Sequence, residues 1–207
     1  MLKNRIILLD TETFGLDVKK DLILEVGFRI MNLDLTETLA SMSLAIWDSS
    51  HDDRYGELRR AVREGNKDAE FVAKMHKANG LFMHAAEKGV SLTEASRTIT
   101  RWLDTHKVLL TEPLCGSSVG YDRAVLAEYL PEINKRFSHR IVDVSSLKEL
   151  CQATNPTMFS HMQEDIEMEL DSSKALHRVD TCLDATVAEL RWYMDNFLFI
   201  PGGRFDS

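Results

Sequence analysis

Ile6-Ile7-Leu8-Leu9 runs directly into Asp10-Thr11-Glu12, and this junction of an aliphatic run with two carboxylates constrains the fold more than any other stretch. So short a run of branched aliphatics predicts a buried central strand rather than a helix. Side chains alternate across a strand, so Asp10 and Glu12 share one face at its C-terminal end. Two like charges on a buried face push a pKa up or cost stability unless a cation lies between them, and a divalent metal meets that need. The plain alternative is an exposed strand-to-turn junction with Phe14-Gly15 as the turn. The stretch alone leaves both open.

The rest of the chain predicts one domain over residues 1–207, since 44% hydrophobic residues in 207 suffice for a full core. No apolar run approaches the roughly 20 residues of a membrane span, and no leader pattern precedes the first strand, so no membrane association is expected. Cys115, Cys151 and Cys182 are odd in number and lack metal-ligand spacing. They point to reduced thiols and a cytoplasmic location. A formal charge of −8 argues against a broad grip on long nucleic-acid backbones, yet is compatible with a small phosphorylated substrate at a metal centre.

Residues 21–30 and 40–47 read as two more strands, joined by a polar turn, so the sheet begins as an antiparallel meander. Residues 54–64 and 68–77 have helical spacing, with a break at Asn79-Gly80. Ser91-Leu92-Thr93-Glu94 is a capping box that opens a helix to about residue 106, with Trp102 and Leu103 on its buried face. A strand over 113–118, a helix over 121–129, a short helix from Pro131, a strand over 140–144 and a helix from Ser145 then give βαβ units. The acidic, Met-containing segment 155–173 reads as a loop or short helix. Val179, Leu183, Val187 and Leu190 mark one face of a long helix over 177–197. The predicted fold is α/β, a mixed sheet flanked by helices.

Asp10-Thr11-Glu12, Gly120-Tyr121-Asp122-Arg123 and Ala175-Leu176-His177-Arg178, in that order, resemble the ribonuclease H-like DEDD exonucleases whose third motif carries a histidine. Within them the chain is most similar to the oligoribonuclease branch. The stretches that carry this are Met75 to Leu81, Leu114 to Arg123, Arg140 to Leu150 and Glu189 to Tyr193. The resemblance implies a ribonuclease H-like fold and 3′-to-5′ hydrolysis of short single-stranded RNA or DNA oligonucleotides to nucleoside 5′-monophosphates. It also implies two Mg²⁺ or Mn²⁺ ions and a homodimer. Asp10, Glu12 and Asp122 fall on the first three acidic positions and His177 on the general base. The residue types suit that chemistry: carboxylates hold hard cations, and an imidazole with a pKa near 6.5 can accept a proton from water at neutral pH.

On the substrate side, the resemblance places Leu16 against the terminal bases and His76 and Ser118 near the substrate. It places His139 and Arg140 at the 5′-phosphate, reached across the homodimer, where an arginine suits bidentate contact. Trp47 can stack on a base or pack in the core, and core packing is favoured.

One position departs from the family pattern: Cys182 stands where the fourth acid belongs. Asp180 and Asp184 each lie about 200° from Cys182 around a helix. Three outcomes remain: a local rearrangement brings Asp180 in as a metal ligand, Glu164, Asp165 or Glu167 lends an oxygen, or one metal is held weakly. A thiolate is a poor ligand for Mg²⁺ but an acceptable one for softer ions. The competing functional readings are a trimming or proofreading exonuclease on single-stranded DNA and a catalytically weakened nucleotide-binding relative.

Overall fold

The computed structural model describes residues 5–170 and 177–198. Its centre is β1 (Arg5–Thr13), which pairs antiparallel with β2 (Ile23–Asn32), and β2 pairs antiparallel with β3 (Thr38–Ala45). On its other side β1 pairs parallel with β4 (Leu114–Gly116), which pairs parallel with β5 (Ile141–Asp143). The order is β3-β2-β1-β4-β5. The expected meander followed by parallel strands is therefore the architecture found, and β1 runs on through both acids rather than ending at them.

Alternation along β1 sorts the two faces. Ile7 and Leu9 join a core with Val26, Phe28 and Ile30 of β2, covered by α4 (Leu92–Thr105), α5 (Val119–Tyr129) and α6 (Pro131–Asn134). Leu8 faces the other way, into a core with α7 (Val144–Thr154), α8 (Pro156–Glu169) and α9 (Val179–Asn196). Asp10 and Glu12 keep the parity of Leu8, so they point to the α9 side. Beyond the end of β1, a third core around Phe14, Leu24, Leu58, Leu81 and Phe82 is closed by α1 (Ser49–Arg63), α2 (Lys67–Ala78) and α3 (Leu81–Lys88).

The segment read as a loop or short helix over 155–173 contains α8, a 14-residue helix; its remaining residues 171–173 lie outside those described. Asn155 caps it by accepting from the Met158 amide, Pro156 occupies its first turn, and Met162 and Ile166 are its buried face. Its apolar face is thin in the sequence: Met162 and Ile166 are fully buried, and Met158 and Phe159 pack part-buried against the same core. Trp47 belongs to the third core, 6.1 Å from the Phe14 ring, with its indole N–H donating to Asp52.

β2 and α9 meet along the odd-numbered positions of the strand. Glu25 accepts two hydrogen bonds from the Arg178 guanidinium and one from the Val179 amide. Gly27 lies under Val179 and Leu183, Arg29 donates to Asp184 at 2.7 Å, and Met31 enters the core beside α9. A Cβ at Gly27 would stand 2.9 Å from Val179 Cβ, so glycine is what lets the helix descend onto the sheet beside Asp10, its cross-strand partner. Gly27→Ala is expected to destabilise the chain by about 1–3 kcal/mol through overpacking. A urea midpoint equal to that of the native chain would refute the close seating.

Candidate active site

Two carboxylates and a thiol converge where β1 and α9 meet, and Asp122 of α5 stands near enough for its charge to act on both acids. Asp10 and Glu12 arrive two residues apart on one strand face. Asp122 comes from the first turn of α5, and its Oδ1 accepts from both the Thr11 amide at 2.8 Å and the Thr11 hydroxyl at 2.6 Å. Thr11, the residue between the two acids, is thus the clamp that fixes Asp122 to β1. Cys182, on the first turn of α9, places its Sγ 3.6 Å from Glu12 Oε1. Asp10, Glu12 and Cys182 offer ligand atoms that all lie within 4.8 Å of one another.

The electrostatics are those of an anion cluster in want of a cation. Burial, then the charges of Asp122, Glu12 and Glu25, hold the Asp10 carboxyl well above the usual carboxylate range. Burial pushes Glu12 up to about 7, against the lowering effect of the Cys182 thiol hydrogen bond. Burial pushes Asp122 up to about 6, despite the two bonds from Thr11. The Cys182 thiol is raised by burial and then by the charges of Asp10 and Glu12. Glu12 also stands directly across from Glu25 in the sheet, a like-charge pairing that costs stability unless one partner is neutralised. Arg178 neutralises Glu25, not Glu12. Among the described residues no Lys or Arg pairs with Asp10, whose Oδ2 is buried without a hydrogen-bond partner. An all-oxygen pair with an orphaned buried lone pair fits a divalent cation.

A cavity of about 640 Å³ opens beside this cluster, between the end of β1 and the α1–α2 pair. Glu12, Leu16, Phe71, Met75, Tyr121 and His177 are among its lining. His177 is exposed and sits in the left-handed region at φ 56°, where its carbonyl accepts from the Asn79 side chain at 2.6 Å. The backbone of this lining residue is thereby held. Leu16 is 84% exposed at the rim, an apolar side chain with no core to bury it. The cavity walls therefore combine apolar side chains such as Leu16 and Phe71 with carboxylates such as Glu12.

Other expected residues fall elsewhere. His76 is fully buried, with Nε2 3.0 Å from the Thr13 carbonyl and its ring 5.1 Å from that of Phe82. It does not border the cavity; it bonds to the end of β1, and burial holds its pKa below the ordinary value. The Ser118 hydroxyl bonds to Ser145, and its amide donates to Asp143. His139 and Arg140 are exposed on the segment before β5, away from the cavity lining.

The expectation that Asp180 joins the metal ligands does not hold in this geometry. α9 is regular through its first turns, with the Cys182 amide donating to the Arg178 carbonyl, so no rearrangement rotates Asp180 inward. Its carboxylate accepts from Ser43 on the edge strand β3 at 3.3 Å. Glu164, Asp165 and Glu167 also stay outside the cluster: all three are exposed on α8, and Asp165 accepts from the Trp192 indole. Of Ala175-Leu176-His177-Arg178, the first two lie outside the described residues.

The RNase_T family model, described as exonuclease, matches residues 7–179. The oligoribonuclease of Paraburkholderia xenovorans is 27% identical over 190 residues, which cover 92% of this chain and 82% of that protein. That of Aromatoleum aromaticum is 28% identical over 198 residues, with 95% and 96% covered. Among solved structures, exonuclease I of E. coli in complex with a dA16 oligonucleotide superposes with a TM-score of 0.65 at 10% identity, covering 94% of this chain and 42% of that one. Exonuclease I from Methylocaldum szegediense gives 0.60 at 16% identity, covering 94% and 41%. The chain thus spans about two-fifths of those exonuclease I chains, and the likeness is one of fold: the ribonuclease H-like sheet expected from the resemblance.

Proposed function

This chain belongs to the exonuclease family that matches it over residues 7–179, and from that premise we propose that it removes nucleoside 5′-monophosphates from the 3′ ends of short oligonucleotides. The observation that carries the reading is the close pair Asp10 and Glu12, with one buried carboxylate oxygen unpartnered and the Asp122 charge nearby, beside a cavity that Glu12 and His177 line. Similarity to oligoribonucleases over 82% and 96% of their lengths supports the short substrate.

Two divalent cations, Mg²⁺ or Mn²⁺, are the cofactors of this reading, held by Asp10, Glu12 and Asp122; when bound they lower the pKa of a coordinated water and stabilise charge on the leaving oxygen. The chain's own groups do the rest. Thr11 holds Asp122 in register with β1, so the carboxylates are set before a cation arrives. His177, with its backbone carbonyl held by Asn79, takes the proton of the attacking water. Leu16 at the rim and Phe71, also exposed, present apolar faces on which terminal bases rest.

His139 and Arg140 are exposed and outside the cavity, which supports their reaching the substrate's 5′-phosphate from a second copy in a homodimer. A phosphate anchored there restricts the span between the two ends to a few nucleotides. Ser118, hydrogen-bonded to Ser145 beside Asp143, steadies the entrance to α5 in this reading. The free thiols of Cys115, Cys151 and Cys182 suit a reducing, cytoplasmic setting, and no helix among the described residues is long and apolar enough to cross a membrane.

The test is turnover of 5′-phosphorylated di- to pentanucleotides against a long single strand, with Mn²⁺ supplied. Dinucleotides are expected to be cleaved at least about tenfold faster, the 5′-phosphate contact being a charge-assisted one. Equal rates on the long strand would replace this reading with the single-stranded DNA trimming enzyme. Binding without cleavage would leave a nucleotide-binding relative.

A further inference from the structure

Cys182 is the only member of the converging set that a hard-cation site would not choose. By itself it is a small, partly buried thiol, and such residues usually just pack. Two independent observations turn it toward a ligand. Oδ2 of Asp10 is buried and unpartnered within a group whose ligand atoms lie inside 4.8 Å of one another. The nearby acids that might have replaced it on α9 are engaged elsewhere: Asp180 with Ser43, Asp184 with Arg29. The thiol itself is held in place, because Gly27 and the Arg178–Glu25 pair seat the first turn of α9 against β2.

We infer that Asp10, Glu12 and Cys182 form a mixed oxygen–sulfur site that selects a borderline, thiophilic divalent cation of the Zn²⁺ or Co²⁺ kind over Mg²⁺. The inference rests on the metal-dependent reading given above and narrows it to one of the cation positions. Mg²⁺ demands near-ideal octahedral oxygen coordination and gives up its waters reluctantly, so a sulfur wall on one side disfavours it. Zn²⁺ and Co²⁺ accept a thiolate with carboxylates in lower coordination. As the Sγ–metal bond forms, the thiol proton leaves to solvent. The family's usual acid would make the same position hard; the cysteine makes it soft without moving the helix.

Titration of Co²⁺ into the native 207-residue chain, followed by near-ultraviolet absorption, reads the site without any turnover. A thiolate-to-cobalt charge-transfer band is expected in the native chain and is expected to vanish in Cys182→Ser, where Cys115 and Cys151 remain as internal controls. By equilibrium dialysis Cys182→Ser should weaken Zn²⁺ binding at least about tenfold and leave Mg²⁺ binding unchanged. Cys182→Asp should strengthen Mg²⁺ binding and raise Mg²⁺-supported cleavage. Cobalt bound to the native chain without the band, or Zn²⁺ affinity unaltered by Cys182→Ser, overturns the inference and leaves the metal-dependent exonuclease standing. If no divalent ion binds in a manner that Asp10→Ala removes, both readings fail together.

Discussion

Asp10→Asn is expected to lower metal-dependent cleavage about a thousandfold or more while making the metal-free chain more stable. The loss follows from geometry: Asp10 is central to the converging acids, and its Oδ2 is the buried oxygen with no protein partner. Removing its charge removes the strongest reason for a cation to reside there, and cation stabilisation of a transition state is worth several kcal/mol. The gain follows from the same facts. Burial and the charges of Asp122, Glu12 and Glu25 all oppose ionisation of this carboxyl, so the folded chain carries an unfavourable group that a neutral amide relieves. Turnover under saturating Mn²⁺ and urea unfolding in EDTA read the two halves. Full activity in Asp10→Asn would remove Asp10 from the site, and a fall in metal-free stability would contradict the electrostatic picture.

The second large effect concerns pH. The metal-free chain is expected to lose stability as pH rises from 5 to 8, opposite to ordinary acid denaturation. Glu12 is raised from 4.5 to about 7, and Asp122 from 3.8 to about 6. A group whose folded pKa is raised contributes stability that is fully present below its unfolded value and is lost as pH climbs through the folded one. For Glu12 that window runs from about 4.5 to 7, and its contribution is roughly 3 kcal/mol. Asp122 loses its contribution between about 4 and 6, and Asp10 shifts in the same direction. His76 acts the other way: its buried ring sits below the ordinary 6.5, so its stabilisation is present above that value and fades as pH falls. Comparing urea midpoints of the native chain and Glu12→Gln in EDTA, at pH 5 and pH 8, isolates the carboxylate. The variant should show the shallower fall, and saturating Mn²⁺ should restore the native chain at pH 8. Parallel profiles for the two proteins would show that Glu12 is not the buried acid described.

Position by position, legibility followed the range of the physics involved. The aliphatic run before Asp10 and the alternation beyond it belong to a local pattern, so the central strand, its neighbours and the face shared by the two acids were readable directly. Asp122 and His177 were readable only as motifs in order, since each alone is an ordinary residue near a helix start. His76 looked like a substrate contact because it sits in a matching stretch. Its burial depends on Phe82 and on the carbonyl of Thr13, 63 positions away in the chain. The segment of α8 reads only as a loop or short helix because just Met162 and Ile166 of its face are fully buried.

Sequence alone determined that two carboxylates would share a sheet face, because strand alternation is a property of neighbours in the chain; that a thiol-bearing helix would lie beside them was implied only by the family resemblance. It could not decide which residue of that helix would meet them. The helix spacing set Cys182 about 200° from Asp180 and Asp184, but the rotation of α9 about its axis is set by contacts with β2: Glu25 on Arg178, bare Gly27 beneath Val179 and Leu183, and Arg29 on Asp184. Those contacts join residues some 150 positions apart, and they turn the sulfur toward Glu12 and the Asp180 carboxylate toward the sheet edge.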